Sequence, residues 1–512
     1  MRAESKGNVK NSVGRITFAG LAFCLQTGWI VFLLVRLNSY SATVSLISSL
    51  MAFLLALGIY GKPSNAAFKM PWIMLILVFP VLGICIYGLF GHKDATKRVR
   101  LKFNEIHREL MGHLTQKAQV MKELEEQGYD VANQFRYLLK QEGYPVCRNT
   151  DVEFYPDGLE GLEAQLLALK EAKQYIFMDY HAIEEAEAFG KIRDILAGKA
   201  AAGVEVRIIY DDVGSIGFIT PEFIKRMEAL GIRCKVFNPV MPAMQIFMNN
   251  RDHRKITVID GKVGFTGGYN LADEYFNIIH PYGHWKDTGV KLTGEAVKSL
   301  TVMFLEIWNL TEKYQEDYGP YLKDVTYRAE EQGFVCPYAD SPMQETVGEN
   351  VYLNVIKQAK HYFYASTPYL IISDEMIREL AMAAQRGVDV RIITPGIPDK
   401  KVIYRVTRSY YASLVRHGVR IYEYTPGFNH AKQTVADGRV ATVGTINMDY
   451  RSLYHHFENG VLMYGYEAIM DVERDFLETF KKCAEVTEKY RQDKFTVVTG
   501  IDCILRLFAP LM

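Results

Sequence analysis

Three windows near the N-terminus, 16–35, 41–60 and 71–90, contain no charged side chain, and each is long enough to cross a hydrocarbon core of roughly 30 Å as a helix. The pattern predicts two or three transmembrane helices. The first window is too long for a signal peptide and is followed by no small-x-small cleavage site. The middle window carries four serines and has an interfacial segment as its alternative reading. Arg2, Lys6, Lys10 and Arg15 precede the set, and Lys93, Lys97, Arg98, Arg100 and Lys102 follow it. Three spans cannot put both basic clusters on one side, and the denser cluster after Phe90 argues for a cytoplasmic C-terminal body.

Beyond the windows the periodicity changes. Residues 101–142 are charged, with Leu110, Leu114, Val120 and Leu124 at spacings near three and four, which predicts a connecting helix or two until Gly143-Tyr144-Pro145 breaks the pattern. A globular body follows, and it is duplicated. Ala200-Ala-Ala-Gly-Val-Glu-Val-Arg-Ile-Ile209 answers Ala383-Ala-Gln-Arg-Gly-Val-Asp-Val-Arg-Ile-Ile393, each a helix end, a glycine stop and a β-branched strand. Upstream, Ala172-Lys173-Gln-Tyr answers Ala359-Lys360-His-Tyr. Helices alternating with such strands predict an α/β fold of two lobes, each a sheet covered on both faces. The expected organisation is a membrane anchor over 1–95, a helical connector over 96–143, a first lobe over 144–325 and a second over 326–512.

Composition adds two constraints. Fifty-nine basic and fifty-nine acidic residues balance, so no overall field draws the chain to nucleic acid and any anion preference is local. The seven cysteines are scattered without a C-x-x-C pair, which reads as reduced thiols in a reducing compartment rather than as a zinc site.

The chemistry concentrates in one stretch and its copy. His253-Arg-Lys255-Ile-Thr-Val-Ile-Asp260 and His430-Ala-Lys432-Gln-Thr-Val-Ala-Asp437 share a His-x-Lys-x-x-x-x-Asp spacing, and each leads to a small-residue run ending in Asn, at Asn270 and Asn447. Side chains two apart on a strand share a face, so each copy offers an imidazole beside a lysine. Asp260-Gly261 and Asp437-Gly438 are hairpin signals, which makes the two aspartates supports of a loop or of a lysine before catalytic groups. The glycines from Gly264 to Gly268, and the Gly444-Thr445 pair, predict backbone N–H groups that approach a phosphate, with Asn270 and Asn447 adding amide donors. Two imidazoles, two lysines and two asparagines suit phosphodiester chemistry without a metal: one His attacks phosphorus and the other serves as acid and then base.

These motifs resemble the phospholipase D superfamily, whose signature is the doubled His-x-Lys-x-x-x-x-Asp, and within it the bacterial cardiolipin synthases. The resemblance covers residues 144–512 and includes Tyr210-Asp-Asp-Val-Gly-Ser215, Asn250-Arg-Asp-His253, Trp285-Lys-Asp287, Ser366-Thr-Pro-Tyr369 and Gly444-Thr-Ile-Asn-Met-Asp449-Tyr-Arg451-Ser452. It implies two phospholipase D-like lobes in a bacterial cell-membrane protein. The reaction implied is transfer of a phosphatidyl group from one phosphatidylglycerol to another with release of glycerol, with no metal or organic cofactor. Water, serine or phosphatidylethanolamine are alternative acceptors; a nuclease, or a scaffold without turnover, fits less well. The resemblance also implies that a carboxylate downstream of each motif orients its histidine, by position Asp287 and Glu458, and that His253 is the nucleophile. Three residues depart from the family pattern: His456 stands for Asn, Asp179 for Glu and Thr445 for Ser. Met241, Met244, Phe247 and Met248 suggest either an apolar lip for acyl chains or a buried connection. The tail from Ile501 either packs on the second lobe or dips into a membrane interface.

Overall fold

The computed structural model describes residues 42–91, 97–220, 222–240, 250–312, 316–343, 346–492 and 500–511, with isolated positions between 21 and 32. The first lobe contributes strands β1 (Thr150–Tyr155), β2 (Tyr175–Tyr180), β3 (Glu205–Asp211), β4 (Arg233–Phe237), β5 (Lys255–Ile259), β6 (Val263–Gly267), β7 (His284–Lys286) and β8 (Gly289–Gly294). The second contributes β9 (Phe334–Asp340), β10 (Tyr362–Ser366), β11 (Asp389–Pro395), β12 (Arg420–Tyr424), β13 (Gly427–Asn429), β14 (Gln433–Ala436), β15 (Val440–Gly444), β16 (Glu458–Tyr464) and β17 (Cys483–Glu485). One sheet runs β1-β8-β6-β5-β2-β3-β4 and the other β17-β12-β11-β10-β14-β15-β16-β9. Apart from β17 the orders superimpose, so the duplicated sequence is a duplicated topology.

Each sheet is mixed for a local reason. β2, β3 and β4 are parallel, as are β10, β11 and β12, because a helix returns the chain between them. Gly203 and Gly387, at φ +89° and +93°, end those helices in a conformation that residues with a Cβ resist. β2 is buried at every position, as expected of a strand covered on both faces. The motif strands pair antiparallel through tight hairpins, β5 with β6 and β14 with β15, whose corners hold Asp260 (φ +53°) and Asp437 (φ +54°).

The lobes meet along a pseudo-twofold seam. β7 runs parallel to β13, and the matching place in the copy is a parallel bridge between Asp252 and Phe457. His253 N donates to the Phe457 carbonyl at 2.9 Å and His430 N to the Lys286 carbonyl at 2.7 Å, so each motif histidine hangs from the other lobe's backbone. Helix Val297–Thr311, buried over most of its length, lies between the first sheet and connector helix Lys97–Met111. Connector helix Tyr129–Glu142 packs on helix Val347–Gln358 of the second lobe.

Of the N-terminal windows, the third departs from the expected single helix. The first lies largely outside the described residues. The second forms helix Ala42–Tyr60, and the third is two helices, Ala66–Val78 and Pro80–Phe90. Pro80 cannot donate to the helix ladder, and the chain doubles so tightly that a Cβ on Gly83 would lie 2.5 Å from Ile76 Cα. Among the described residues no helix is long and apolar enough to cross a membrane. The methionine-rich stretch from Met241 to Met248 lies outside the described residues.

Asp260 and Asp437 do structural work. Asp260 accepts the N–H groups of Lys173, Gln174 and Tyr175 at 2.7–2.9 Å, and Asp437 accepts those of Lys360, His361 and Tyr362 at 2.8–2.9 Å. Each carboxylate thereby ties its hairpin to the start of the neighbouring parallel strand. Seven steps of extended chain, roughly 20 Å, separate each aspartate from the histidine of its motif. Asp260→Ala and Asp437→Ala should each cost about 1–2 kcal/mol from three orphaned donors at a partly exposed site. A lowered thermal midpoint with near-normal turnover of the folded fraction is the expected result.

Candidate active site

A cavity of about 370 Å³ opens where the two sheets meet, and His253, His430, Asn270 and Asn447 all line it. His253 and Lys255 enter at the head of β5, and His430 and Lys432 at the head of β14; all four are more than nine-tenths buried. The seam brings these residues, distant in sequence, into one site.

Each imidazole is held by a carboxylate from the opposite lobe. His430 Nδ1 lies 2.7 Å from Asp287 Oδ2, and His253 Nδ1 lies 2.9 Å from Glu458 Oε1. Position along the chain suggested that a carboxylate downstream of each motif serves that motif; the pairing is crossed. The carboxylates are fixed in turn. Asp287 accepts from Thr288 N at 3.0 Å and Trp285 Nε1 at 3.4 Å, and Glu458 accepts from Thr445 Oγ1 at 2.5 Å and from Ser452 Oγ. A carboxylate accepts only, so Nδ1 of each histidine carries the proton and Nε2 keeps its lone pair. Lys432 Nζ also comes within 2.6 Å of His430 Nδ1. That nitrogen cannot both donate to Asp287 and accept from an ammonium, so the lysine's bond is to the His430 carbonyl oxygen, as Lys255 bonds to the His253 carbonyl at 2.5 Å.

The small-residue runs have a packing role instead of the expected phosphate-binding one. Gly268 N donates to Thr288 O and Thr445 N to Asn459 O, both at 2.9 Å, so these N–H groups are spent within the fold. A Cβ on Gly268 would sit 1.9 Å from Asp287 Oδ1, and one on Gly267 2.5 Å from Thr288 O. Glycine is required because the carboxylate occupies the side-chain space. In the second lobe Glu458 is one methylene longer, Thr445 takes the place of Gly268, and its hydroxyl becomes the carboxylate's donor. Asn270 accepts from Ala182 N at 3.2 Å and donates to Tyr275 OH at 2.7 Å; Asn447 Oδ1 has no hydrogen-bond partner among the described residues.

The flanks of the cavity differ. Around His430 stand the rings of Trp285, Tyr275 and Phe428, at centroid distances of 5.2, 5.4 and 5.8 Å. Around His253 stand His181 at 4.8 Å and His456 at 5.5 Å, with Arg251 and Arg451 lining the same cavity. His181, Tyr275, Lys400 and Phe428 were not foreseen. His181 follows the carboxyl end of parallel strand β2, where open α/β sheets place ligand contacts, and that rule was the signal available. Asp179, which stands for the family's Glu, stops 3.7 Å from Arg254 Nε, and neither of its oxygens has a hydrogen-bond partner among the described residues.

Burial and like charge set the protonation states. Burial, with Lys255 and Lys432 adding to it, holds both motif histidines well below the usual imidazole range. Burial also lowers Lys255 to about 8 and Lys432 to about 7, and raises Asp287 to about 6. The free site therefore holds neutral imidazoles beside lysines close to losing their protons, a state that favours an arriving anion.

Two lobes presenting paired His and Asn side chains to one cavity, each histidine followed by a buried lysine, define a phospholipase D-type phosphodiester transferase. The family model described as cardiolipin synthase, phospholipase D-like domain, matches residues 166–308 and 352–480, and that described as phospholipase D-nuclease N-terminal matches 49–92. The chain belongs to the cardiolipin synthase family of phospholipase D-like proteins and is an enzyme of the phosphatidyltransferase class. It is 31% identical to a cardiolipin synthase of Geobacillus kaustophilus over 91% of this chain and 93% of the relative. To a protein of Streptococcus mutans serotype c without an assigned function it is 42% identical, over 86% and 96%. Its fold matches phosphatidylserine synthase from Haemophilus influenzae Rd KW20, at TM-score 0.56 and 13% identity over 74% of this chain and 97% of that one.

The protonation states predict a bell-shaped kcat/KM. A carboxyl raised to about 6 is ionised above that pH and protonated below it, so orientation of His430 is lost as pH falls through 6. Lysines lowered to about 7 and 8 are charged below and neutral above, so phosphate attraction is lost as pH rises through that range. A plateau extending through the alkaline limb would contradict the assignment. Asp287→Asn should lower kcat on the order of 10²–10⁴-fold. In a ¹⁵N imidazole spectrum it should perturb His430, on the opposite lobe, before His253.

Proposed function

We propose that the chain condenses two phosphatidylglycerol molecules to cardiolipin and glycerol through a phosphohistidine. The observation that carries this reading is the pair of crossed imidazole–carboxylate dyads, both opening on one cavity, with a buried lysine two residues beyond each histidine. In the first half-reaction His253 Nε2 attacks phosphorus, forming a P–N bond, while the P–O bond to the departing glycerol breaks. The proton on that oxygen comes from His430. In the second half, His430 removes the proton from a hydroxyl of the second phosphatidylglycerol, whose oxygen attacks phosphorus and expels His253. Glu458 and Asp287 stabilise the imidazolium on their respective histidines, and Lys255, Lys432, Asn270 and Asn447 stabilise the phosphoryl oxygens. Because both imidazoles start neutral, the arriving phosphodiester must raise the proton affinity of one; binding is thus accompanied by proton uptake.

A bilayer is the proposed source of both lipids. Helix Ala42–Tyr60 exposes Leu46, Leu50, Phe53, Leu54 and Leu57, and the next helix exposes Met70, Met74, Leu77 and Val78, a larger apolar surface than a soluble monomer ordinarily leaves bare. The C-terminal helix Gly500–Phe508 packs on helix Lys401–Val415 and turns Ile501 and Ile504 outward, and Ala509 beside it lines the cavity. An apolar surface that reaches the cavity mouth suits acyl chains entering from the membrane side.

Detergent-purified protein given labelled phosphatidylglycerol should yield a four-chain lipid and glycerol in equal amounts; phosphatidic acid alone would turn the assignment to hydrolysis. Rapid quenching should trap phosphate on His253, and a label on His430 would reverse the roles. His253→Ala and His430→Ala should each abolish product.

A further inference from the structure

His456, the residue that departs from the family's Asn, has no part in the transfer chemistry above, yet it stands over the nucleophile. Its side chain is 12% exposed, and neither ring nitrogen has a hydrogen-bond partner among the described residues. A buried imidazole left in that state costs free energy unless something else satisfies it. The nearest candidate is the carboxylate that serves His253: His456 Nδ1 lies 3.6 Å from Glu458 Oε1, beyond hydrogen-bonding distance, and His253 Nδ1 lies 2.9 Å from the same oxygen. One donor atom from each of His253, His456 and Glu458 falls within 4.8 Å of the others. Four-coordinate zinc, with bonds near 2.0–2.1 Å, separates neighbouring ligand atoms by roughly 3.4 Å.

We propose that His253, His456 and Glu458 form a binding site for a divalent transition cation of the zinc type, whose occupancy shuts the enzyme off. Two imidazoles and one carboxylate are a donor set such ions favour, and three protein ligands leave a fourth position for water from the cavity. Thr445 and Ser452 hold the carboxylate in place. Inhibition follows from electron counting. A metal on Nδ1 of His253 takes up a lone pair there, which moves the ring's single proton from Nδ1 to Nε2, and no lone pair is left to attack phosphorus. With Asn at position 456 the site has one ligand fewer of the kind zinc prefers, so metal sensitivity is a property of this departure from the family.

Binding can be tested apart from the transfer reaction, on which only the inhibition rests. Titrating the full-length, detergent-solubilised protein with Co²⁺ in the absence of lipid should give the visible ligand-field band of a four-coordinate ion, saturating at one per chain and displaced by Zn²⁺. In His456→Asn and His456→Gln that band should be lost. Zn²⁺ should inhibit transfer by the wild-type enzyme, reversibly on chelation, and the concentration for half inhibition should rise at least about tenfold in either variant. Each variant is compared with itself without metal, so its basal rate drops out, and a thermal melt confirms that it is folded. The same band in the variants, no band in the wild type, or equal Zn²⁺ sensitivity throughout would each overturn the site. Failure of the protein to make a four-chain lipid, with the cobalt band intact, would instead count against the proposed reaction alone.

Discussion

Two buried imidazole–carboxylate contacts that cross between the lobes are the constraint on which the rest of the structure depends. Asp287 and Glu458 are fully buried, and an ionised carboxylate in such a place is tolerable only when donors surround it. Each finds part of its donor set in its own lobe and its decisive donor in the other: His430 for Asp287, His253 for Glu458. Neither lobe can complete its own half. The backbone repeats the arrangement, since the N–H of each histidine bonds to the carbonyl preceding the other lobe's carboxylate. The same contacts that orient the imidazoles also join the two lobes at the seam.

Close packing around the dyads follows. A carboxylate pressed against β6 leaves no room for a side chain at Gly268, and the strands behind it approach so nearly that Gly267 and Gly444 would drive a Cβ into opposing backbone. The two lobes solve one problem with different atoms: a shorter acid over glycine in the first, a longer acid over a threonine hydroxyl in the second. This asymmetry carries into the cavity. One imidazole is walled by aromatic rings and the other by two further histidines and two arginines, so the duplicated halves are chemically unequal and able to take unequal roles.

The lysines sharpen the balance. They lie among two carboxylates and two imidazoles in a volume that excludes most water, and burial lowers both their proton affinities and those of the histidines. An anion entering this cavity supplies the charge that the buried cations lack. The apolar side chains exposed on the N-terminal helices lie apart from the cavity lining, so the buried polar site and the bare apolar surface are separate features of the chain.

The duplication, the alternation of helices with β-branched strands and the paired His-x-Lys motifs were legible from residue order, because periodicity and spacing act over a few residues and each copy repeats them. The motif aspartates were legible as turn residues for the same reason, since Asp-Gly at a hairpin is a local signal. Which carboxylate serves which histidine was not: Asp287 lies 143 residues from His430 and Glu458 lies 205 from His253, and only the seam between lobes makes those separations short. The small-residue runs promised phosphate-binding N–H groups, but the neighbouring strand claimed those donors, a matter of sheet order that no local pattern states. The third apolar window likewise had the length of a span while Pro80 and the close approach at Gly83 folded it back. Local chemistry determined the residues and their motifs; the packing of two lobes decided their partners, because partners are set by distance in space.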